Sequence, residues 1–250
     1  MNRKGYSPVS DTVDSALDRR WVKRLSLVGM ACLGTTSFIL LNGLWVQLPL
    51  FFREMPEGYR ISAYMILAMQ MANIAPAAIV YATSNSNSST SSSTRTDASL
   101  VCLLYFLIGC GFTTAVLIAF LSNVEVSLGG HPCSAPLLAL SFAAGCVSTS
   151  SNVVYYPFSA RYPEEFTTAL SLGQGLSGLV PGLAGLLQNT GGDLRFSTKA
   201  YFLGVAGVWL LGLAGLTFVL NVYGDTGAGA GEGQRLAISH TCDCTSLQFI

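Results

Sequence analysis

The sequence predicts an all-α integral membrane protein with six transmembrane helices. Of its 250 residues, 51% are hydrophobic and only 10% are charged, whereas a soluble domain carries about 25% charged residues. The mean hydropathy is +0.51. Crossing a bilayer core takes about 20 apolar residues per helix. Six segments reach that length, and none contains Asp, Glu, Lys or Arg: residues 25–52, 61–82, 100–122, 136–159, 166–188 and 201–222.

Three segments outside these spans differ in composition. Residues 1–24 are polar, and the apolar run that follows them is too long for the hydrophobic region of a signal peptide, so we expect it to remain as a membrane helix. Residues 83–99 are rich in Ser, Thr and Asn and predict a flexible loop. Residues 223–250 are Gly-rich and then polar, which predicts a disordered tail.

The distribution of basic residues predicts the orientation in the membrane. Nine Lys and Arg residues lie on the side of the N-terminus and four on the opposite side, and basic residues favour the cytosolic side. Both termini and the loop 83–99 are therefore predicted to be cytosolic. The 13 basic and 13 acidic residues balance, so the net charge indicates no nucleic-acid partner.

The cysteines and histidines predict neither a disulfide framework nor a metal site. Four of the seven cysteines fall inside apolar runs, where a thiol behaves as a small hydrophobe. Cys242 and Cys244 could take a metal or a lipid, but two thiols alone make an incomplete zinc site. No nucleophile–base set or phosphate-binding loop is present, so we expect no cofactor and no enzymatic activity.

Polar side chains within the spans predict a cavity for a neutral, hydrogen-bonding, partly planar solute. Lipid provides no hydrogen bonds, so such groups face either a cavity or another helix. The spans carry no carboxylate, which argues against an intramembrane proton relay or sodium site. Hydrogen bonds that only join helices, worth about 0.6 kcal/mol each, remain the alternative. The candidate binding residues are Asn42, Trp45, Gln70, Asn73, Asn152, Tyr155 and Gln174.

Further features concern packing, bending and gating. Small residues recur every three or four positions in the fifth span and predict a close helix contact; they are Ser171, Gly175, Gly178, Gly182 and Gly185. Pro49 is expected to kink the first span. Arg161 precedes Glu164 and Glu165 in a short loop. It is therefore a candidate for a gating ion pair or, alternatively, an ordinary determinant of topology.

Several motifs resemble the eukaryotic riboflavin transporters of the solute carrier class. They are residues 42–50 (NGLWVQLPL), 55–59 (MPEGY), 70–76 (QMANIAP), 151–163 (SNVVYYPFSARYP) and 173–181 (GQGLSGLVP). The resemblance covers roughly residues 25–190, with the motifs in the same order along the chain. One departure is Gln47, which stands where the family is expected to carry an acidic residue.

The resemblance implies a plasma-membrane carrier for riboflavin with a cytosolic N-terminus. It also implies a fold of about eleven helices in two packed halves, of which these six spans correspond to the first. Riboflavin suits an uncharged cavity, because its ring can stack on an aromatic side chain while its imide edge and ribityl hydroxyls pair with amides. A second half or a full-length carrier is the partner to expect. The alternative function is a truncated, non-transporting membrane protein that modulates a full-length carrier.

The predicted orientation can be checked at Asn87. Asn87 begins the sequence Asn-Ser-Ser, an acceptor for N-glycosylation. Because the charge distribution places it on the cytosolic side, we expect it to carry no glycan in cells. Glycosidase digestion followed by a gel shift measures this, and efficient modification of Asn87 would reverse the orientation.

Overall fold

The computed structural model is a bundle of α-helices and describes residues 9–87, 93–124, 126–128, 131–189 and 194–223. A short two-stranded antiparallel hairpin, β1 (Val126–Leu128) and β2 (His131–Cys133), joins α5 to α6. A 3₁₀ turn precedes α3, and a π-helical turn follows α8. Within the described residues the helices are α1 (Val9–Thr36), α2 (Ile39–Glu54), α3 (Ile61–Met71), α4 (Ile74–Asn87), α5 (Ser93–Leu121), α6 (Ala135–Ser159), α7 (Glu164–Gln188) and α8 (Thr198–Phe218).

The helices confirm the predicted class of an all-α integral membrane protein. Among the described residues, five helical segments are long and apolar enough to cross a membrane: Gly58–Ser84, Ser99–Leu121, Ala135–Ser159, Glu164–Gln188 and Thr198–Asn221. The pair Arg20–Thr36 and Ile39–Glu54, bent by 49°, makes a sixth span if it is counted as one. The hairpin between α5 and α6 was not expected from the sequence.

The first span breaks at Ser37 and Phe38 rather than at Pro49, which lies inside the continuous helix α2. Two threonine hydroxyls donate to carbonyls of the preceding turn: Thr35 to Ala31 at 2.9 Å and Thr36 to Leu33 at 2.7 Å. Hydroxyls that bond backward in this way compete with the helical ladder and bend helices. The break therefore lies beside two hydroxyls of this kind and away from the proline, although the same bonds also occur within the continuous helix α5, at Thr113 and Thr114.

The second span is interrupted for two residues, Ala72 and Asn73, between α3 and α4. Pro76 stands at the third position of α4, where the missing N–H is one that a helix start leaves unbonded. The interruption packs on α6, because a Cβ built on Gly145 would lie 2.6 Å from the Cβ of Ala72. Both interruptions lie near the middle of an apolar span.

Helix α1 lies between α7 and α8, and its backbone comes unusually close to the backbone of each. A Cβ built on Gly34 would overlap the carbonyl oxygen of Leu170, and one on Gly173 would overlap that of Ala31. On the other side of α1, a Cβ on Gly29 would lie 2.9 Å from the carbonyl oxygen of Gly215. Helix backbones approach this closely only where side chains are absent, so these glycines set the position of α1.

A carboxylate ties the loop after α2 to the start of α6. Glu57 accepts hydrogen bonds from the Ser134 backbone N–H at 2.6 Å and from the Ser134 hydroxyl at 2.7 Å. Partial burial alone would raise the pKa of Glu57, but these two bonds favour the ionised form and hold the pKa below its ordinary value. Ser134 precedes the first residue of α6, where a negative charge also complements the helix dipole.

The segments between and beyond the spans differ in part from the sequence prediction. Residues 83–87 continue α4 and residues 93–99 belong to α5, so the described parts of the predicted flexible loop 83–99 are helical. At the end of the second apolar run, the Thr83 hydroxyl donates to the backbone carbonyl of Ile79 at 2.9 Å. The predicted disordered tail lies outside the described residues apart from Tyr223.

The close contact between α1 and α7 predicts a large effect of single methyl groups. Gly34→Ala and Gly173→Ala each place a Cβ against main-chain atoms that cannot rotate away. We expect each to lower stability by about 1–3 kcal/mol, the usual range for overpacking. Thermal unfolding of the purified chain in detergent measures the loss. Gly175→Ala is the matched control: no atom lies within 4 Å of the position its methyl group would take, so an equal loss there would contradict this account.

The Glu57 contact predicts that stability falls in acid. Because the pKa of Glu57 is lowered in the folded chain, its contribution is present above the unfolded-state pKa of about 4.3 and is lost as the pH falls through the lower folded value. We expect Glu57→Gln to destabilise by about 1 kcal/mol at neutral pH and to flatten the acid limb of the stability curve. Glu54→Gln, at an exposed position three residues earlier, should leave the curve unchanged.

Candidate functional site

A hydrogen-bonded group of uncharged side chains joins α6 to α7. Gln174 on α7 donates from Nε2 to Oδ1 of Asn152 at 2.7 Å, and its Oε1 accepts from the Tyr156 hydroxyl at 2.8 Å. Asn152 and Tyr156 are one turn apart on α6 and therefore share a face. Ser171 lies 3.4 Å from the Tyr156 hydroxyl. We call Asn152, Tyr156 and Gln174 the amide cluster.

The amide cluster lies beside the break in the first span. Gln174 Nε2 makes a second, longer contact of 3.5 Å with the hydroxyl oxygen of Ser37, one of the two break residues. The backbone nitrogen of Gln174 lies 3.2 Å from the position of a Cβ built on Gly34. The close approach of α1 to α7 therefore determines where the break meets the polar side chains.

Asn42 on α2 extends this polar region by one turn of α7. Its Nδ2 donates to the backbone carbonyl of Ser177 at 3.1 Å, and Ser177 follows Gln174 by three residues. Trp45, one turn further along α2, is 40% exposed. Asn42 and Trp45 thus follow one another along α2 as the spacing predicts, and the indole ring reaches the surface of the bundle.

Gln70 and Asn73 form a separate polar pair at the interruption of the second span. Asn73 donates from Nδ2 to Oε1 of Gln70 at 3.0 Å, and both side chains are exposed. The neighbouring Ala72 packs on Gly145 of α6, seven residues before Asn152. Two helical turns rise about 10 Å, so this pair and the amide cluster lie at different depths along α6. The structure does not bring them into hydrogen-bond contact.

Tyr155 lies in the core, away from the amide cluster. Its side chain is fully buried, and its hydroxyl is 3.0 Å from that of Thr36 on α1. The next residue, Tyr156, is 39% exposed and bonds Gln174. The residue predicted from the sequence was the tyrosine three residues after Asn152, and not the one four residues after it, which bonds Gln174. Both spacings place a residue on the face of Asn152, so spacing alone could not separate them.

The predicted small-residue stripe on α7 is only partly used in packing. Gly185 lies against Val46 of α2, and a methyl group added at Gly178 would be 3.7 Å from Nδ2 of Asn42. A methyl group added at Gly175 or Gly182 would meet no atom within 4 Å, and Ser171 is exposed. The closest backbone contacts of α7 instead involve Gly173, which the stripe did not include.

Beside the candidate gate Arg161, one of the two predicted acidic neighbours has a partner on α1. Glu165, expected beside Arg161, forms an ion pair with Lys23 of α1 at 2.6 Å. The two side chains are 41% and 56% exposed, and an ion pair in water contributes less than about 1 kcal/mol. This pair therefore adds little to the contact between α1 and α7 that the glycines make.

A second amide pair, Gln47 and Gln188, was not predicted. Gln47 is fully buried and donates from Nε2 to Oε1 of Gln188 at 2.5 Å. Gln188 in turn donates to the carbonyl of Phe196 at 3.0 Å, which ties the end of α7 to the chain before α8. Oε1 of Gln47 has no hydrogen-bond partner within the described part of the chain. The pair joins α2 to α7 inside the bundle and opens to no surface.

The amide cluster and Asn42 can recognise a neutral solute. Amides and hydroxyls offer both donors and acceptors. The cluster consists of uncharged groups, with Gln174 near the middle of α7 and with Asn152 and Tyr156 toward the C-terminal end of α6. Interrupted membrane helices with polar groups at their breaks are the usual architecture of solute-binding sites in transporters. Fold and site together therefore define a multi-pass membrane protein of the transporter class.

Comparison with known families identifies that class more closely. The model of the solute carrier family 52 riboflavin transporters matches residues 23–212, most of the chain. The chain therefore belongs to the solute carrier family 52 riboflavin transporters. The resemblance seen in the sequence motifs is confirmed.

Individual relatives match about two thirds of the chain. Over 159 residues the chain is 36% identical to human "Solute carrier family 52, riboflavin transporter, member 3", covering 63% of the chain and 32% of the relative. It is 34% identical over 163 residues to "Riboflavin transporter 2" of Salmo salar, covering 65% and 34%. It is 32% identical over 161 residues to "Riboflavin transporter rft-2" of Caenorhabditis elegans, covering 64% and 32%.

The matched region spans about a third of the length of these relatives. No solved structure matches the chain.

Proposed function

We propose that the chain acts as a plasma-membrane carrier for riboflavin, either on its own or as the first half of a two-half carrier. The observation that carries this proposal is the uncharged amide cluster beside the break of the first span, in a chain of the riboflavin transporter family. The relatives that match about two thirds of the chain are named riboflavin transporters.

The chemistry of riboflavin fits the polar groups. Its isoalloxazine ring is neutral and planar, with carbonyl and imide groups along one edge, and its ribityl chain carries hydroxyls. Exposed aromatic rings at Trp45 and Tyr156 are available for stacking, while Asn42, Asn152 and Gln174 offer hydrogen bonds. Gln70 and Asn73 lie at the interruption between α3 and α4, which packs on α6 about two turns from Asn152. An extended solute with a ring and a hydroxylated chain is long enough to span that distance.

We propose that transport is facilitative, with a cytosolic N-terminus. A bound sodium ion or a translocated proton needs an ionisable or densely oxygenated site, and the six spans carry no acidic or basic residue. The orientation rests on the excess of Lys and Arg on the side of the N-terminus.

A second candidate function is association with a full-length carrier without transport. The open positions at Gly175 and Gly182 favour it, because they would admit the backbone of another helix. Exposed leucines on the same helix, Leu172, Leu179 and Leu183, would contact that partner. In this case the chain would co-purify with the full-length carrier and alter its uptake.

Uptake of labelled riboflavin separates these functions. Expressed in cells without their own riboflavin carrier, the chain should raise uptake above that of empty-vector cells, saturably and to a similar extent with and without sodium or a proton gradient. No uptake alone, but altered uptake when a full-length carrier is co-expressed, would select the second function. Uptake that disappears on sodium removal would exclude the facilitative mode.

The binding role of α2 predicts the effect of two substitutions. Asn42→Ala and Trp45→Ala each remove a proposed ligand contact worth about 1–3 kcal/mol, so riboflavin affinity should fall about tenfold or more. Affinity and surface expression are to be measured together. Leu41→Ala, on the same helix and packed against the core, is the control for loss of stability. Reduced expression with unchanged affinity would show that Asn42 and Trp45 only support the fold.

A further inference from the structure

We propose that Tyr156 is a specificity-determining positioning residue: through Gln174 it fixes the Asn152 amide so that the Asn152 N–H₂ group selects a carbonyl acceptor on the solute. The inference rests on the proposed riboflavin site and deepens it. It names the tyrosine that acts there, the direction of the hydrogen bonds and the edge of the solute that they recognise.

The hydrogen bonds in the amide cluster run in one direction. The Tyr156 hydroxyl donates to Oε1 of Gln174 at 2.8 Å, and Nε2 of Gln174 donates to Oδ1 of Asn152 at 2.7 Å. An amide side chain has one oxygen acceptor and two N–H donors. Because the Tyr156 proton occupies Oε1, the nitrogen of Gln174 is turned toward Asn152, and the oxygen of Asn152 is thereby used.

The donors of Asn152 are then left for a solute. Within the part of the chain that the structure describes, Nδ2 of Asn152 donates no hydrogen bond, although Oδ1 of the same amide is bonded. Asn152 and Gln174 are half-buried and Tyr156 is 39% exposed, so the cluster reaches the surface of the bundle. A donor without a partner in apolar surroundings is unfavourable, which makes an incoming acceptor favourable.

The chemistry of the matching solute follows from these donors. An N–H₂ group selects an acceptor oxygen, and the uncharged cluster provides no cation to offset the desolvation of an anion. The exposed ring of Tyr156 beside it favours a planar solute. A carbonyl on the edge of a neutral aromatic ring system combines these properties, and the pyrimidine ring of riboflavin carries two such carbonyls.

Specificity of this kind requires that the Asn152 amide keep its orientation. A site built to hydrogen-bond one group rejects an analogue without it, because its own polar group is then left unpaired. Without the Tyr156 hydroxyl, Gln174 is free to rotate, and Asn152 can turn its oxygen outward. Loss of the hydroxyl should therefore weaken binding and also remove the preference for a carbonyl oxygen.

The test compares riboflavin with 2-thioriboflavin and 4-thioriboflavin, in which sulfur, a weak acceptor, replaces one carbonyl oxygen. The full-length chain is purified and reconstituted in lipid nanodiscs, and affinities are obtained by displacement of tritiated riboflavin. We expect the wild-type chain to prefer riboflavin about tenfold over one of the two analogues. Tyr156→Phe, which keeps the ring and removes the hydroxyl, should bind riboflavin about tenfold more weakly and show no preference.

Two further variants make the result specific. Tyr155→Phe is the matched control, since it removes a hydroxyl from the adjacent residue that bonds Thr36 in the core; it should lower thermal stability and retain both affinity and preference. Asn152→Asp keeps an acceptor for Gln174 and lacks the N–H₂ group. Asn152→Asp should lose the preference for riboflavin over the thio analogue because the donor group itself is removed. It serves as the second test if Tyr156→Phe does not fold.

The outcomes separate this inference from the function on which it rests. If the wild-type chain binds riboflavin and Tyr156→Phe retains the preference, whether its affinity is unchanged or uniformly reduced, Tyr156 only joins α6 to α7 and the inference is wrong, while riboflavin binding stands. If the wild-type chain shows no displaceable riboflavin binding, the riboflavin site is wrong and the inference falls with it.

Discussion

The contact of glycine with backbone on both sides of α1 is the constraint on which the bundle depends. Gly34 and Gly173 bring α1 against α7, and Gly29 and Gly215 bring it against α8. In a membrane the helices gain little from burying apolar surface, because lipid is as apolar as the side chains, and association relies on close packing. These contacts hold α7 and α8 against α1; α2 packs in turn on α7 and α5 on α8.

The position of the polar groups follows from that constraint. Since Gly34 lies beside the backbone nitrogen of Gln174, the break that begins three residues later meets α7 at the level of the amide cluster. Thr36 has a second role at this place: besides bonding the Leu33 carbonyl, its hydroxyl contacts that of Tyr155. One tyrosine of α6 thus secures the end of α1, and the next faces the site.

The spans and the family could be predicted from the sequence, but the breaks could not. Length and hydropathy identify membrane helices because transfer of a charged or polar residue into lipid is costly wherever it occurs. Hydroxyls that bond backward stand beside the break at Thr35 and Thr36, but they also occur inside the unbroken helix α5 and are no unique signal. Proline, the stronger sequence signal, does not interrupt α2 at Pro49.

Site residues were predictable as residue types and less so as positions. Uncharged amides inside apolar runs correctly drew attention to Asn152 and Gln174, which bond each other. Choosing Tyr156 over Tyr155 required knowing how α6 is rotated about its axis, which its neighbours determine. Regular spacing likewise selected glycines on one helix, whereas the closest contact pairs glycines of two helices, Gly34 and Gly173, that no single-helix pattern can connect.

Packing is uneven around the bundle, and this has a mechanical consequence. Helix α6 packs mainly on α3 and α5, α7 packs mainly on α1 and α2, and α6 and α7 touch each other only sparingly. The hydrogen bonds of Tyr156 and Gln174 cross this boundary. Side-chain hydrogen bonds can be exchanged for bonds to water or solute at little net free energy, whereas glycine contacts cannot slide without collision. We therefore expect the molecule to be stiffer along α1 than along the boundary between α6 and α7, where polar side chains supply much of the contact.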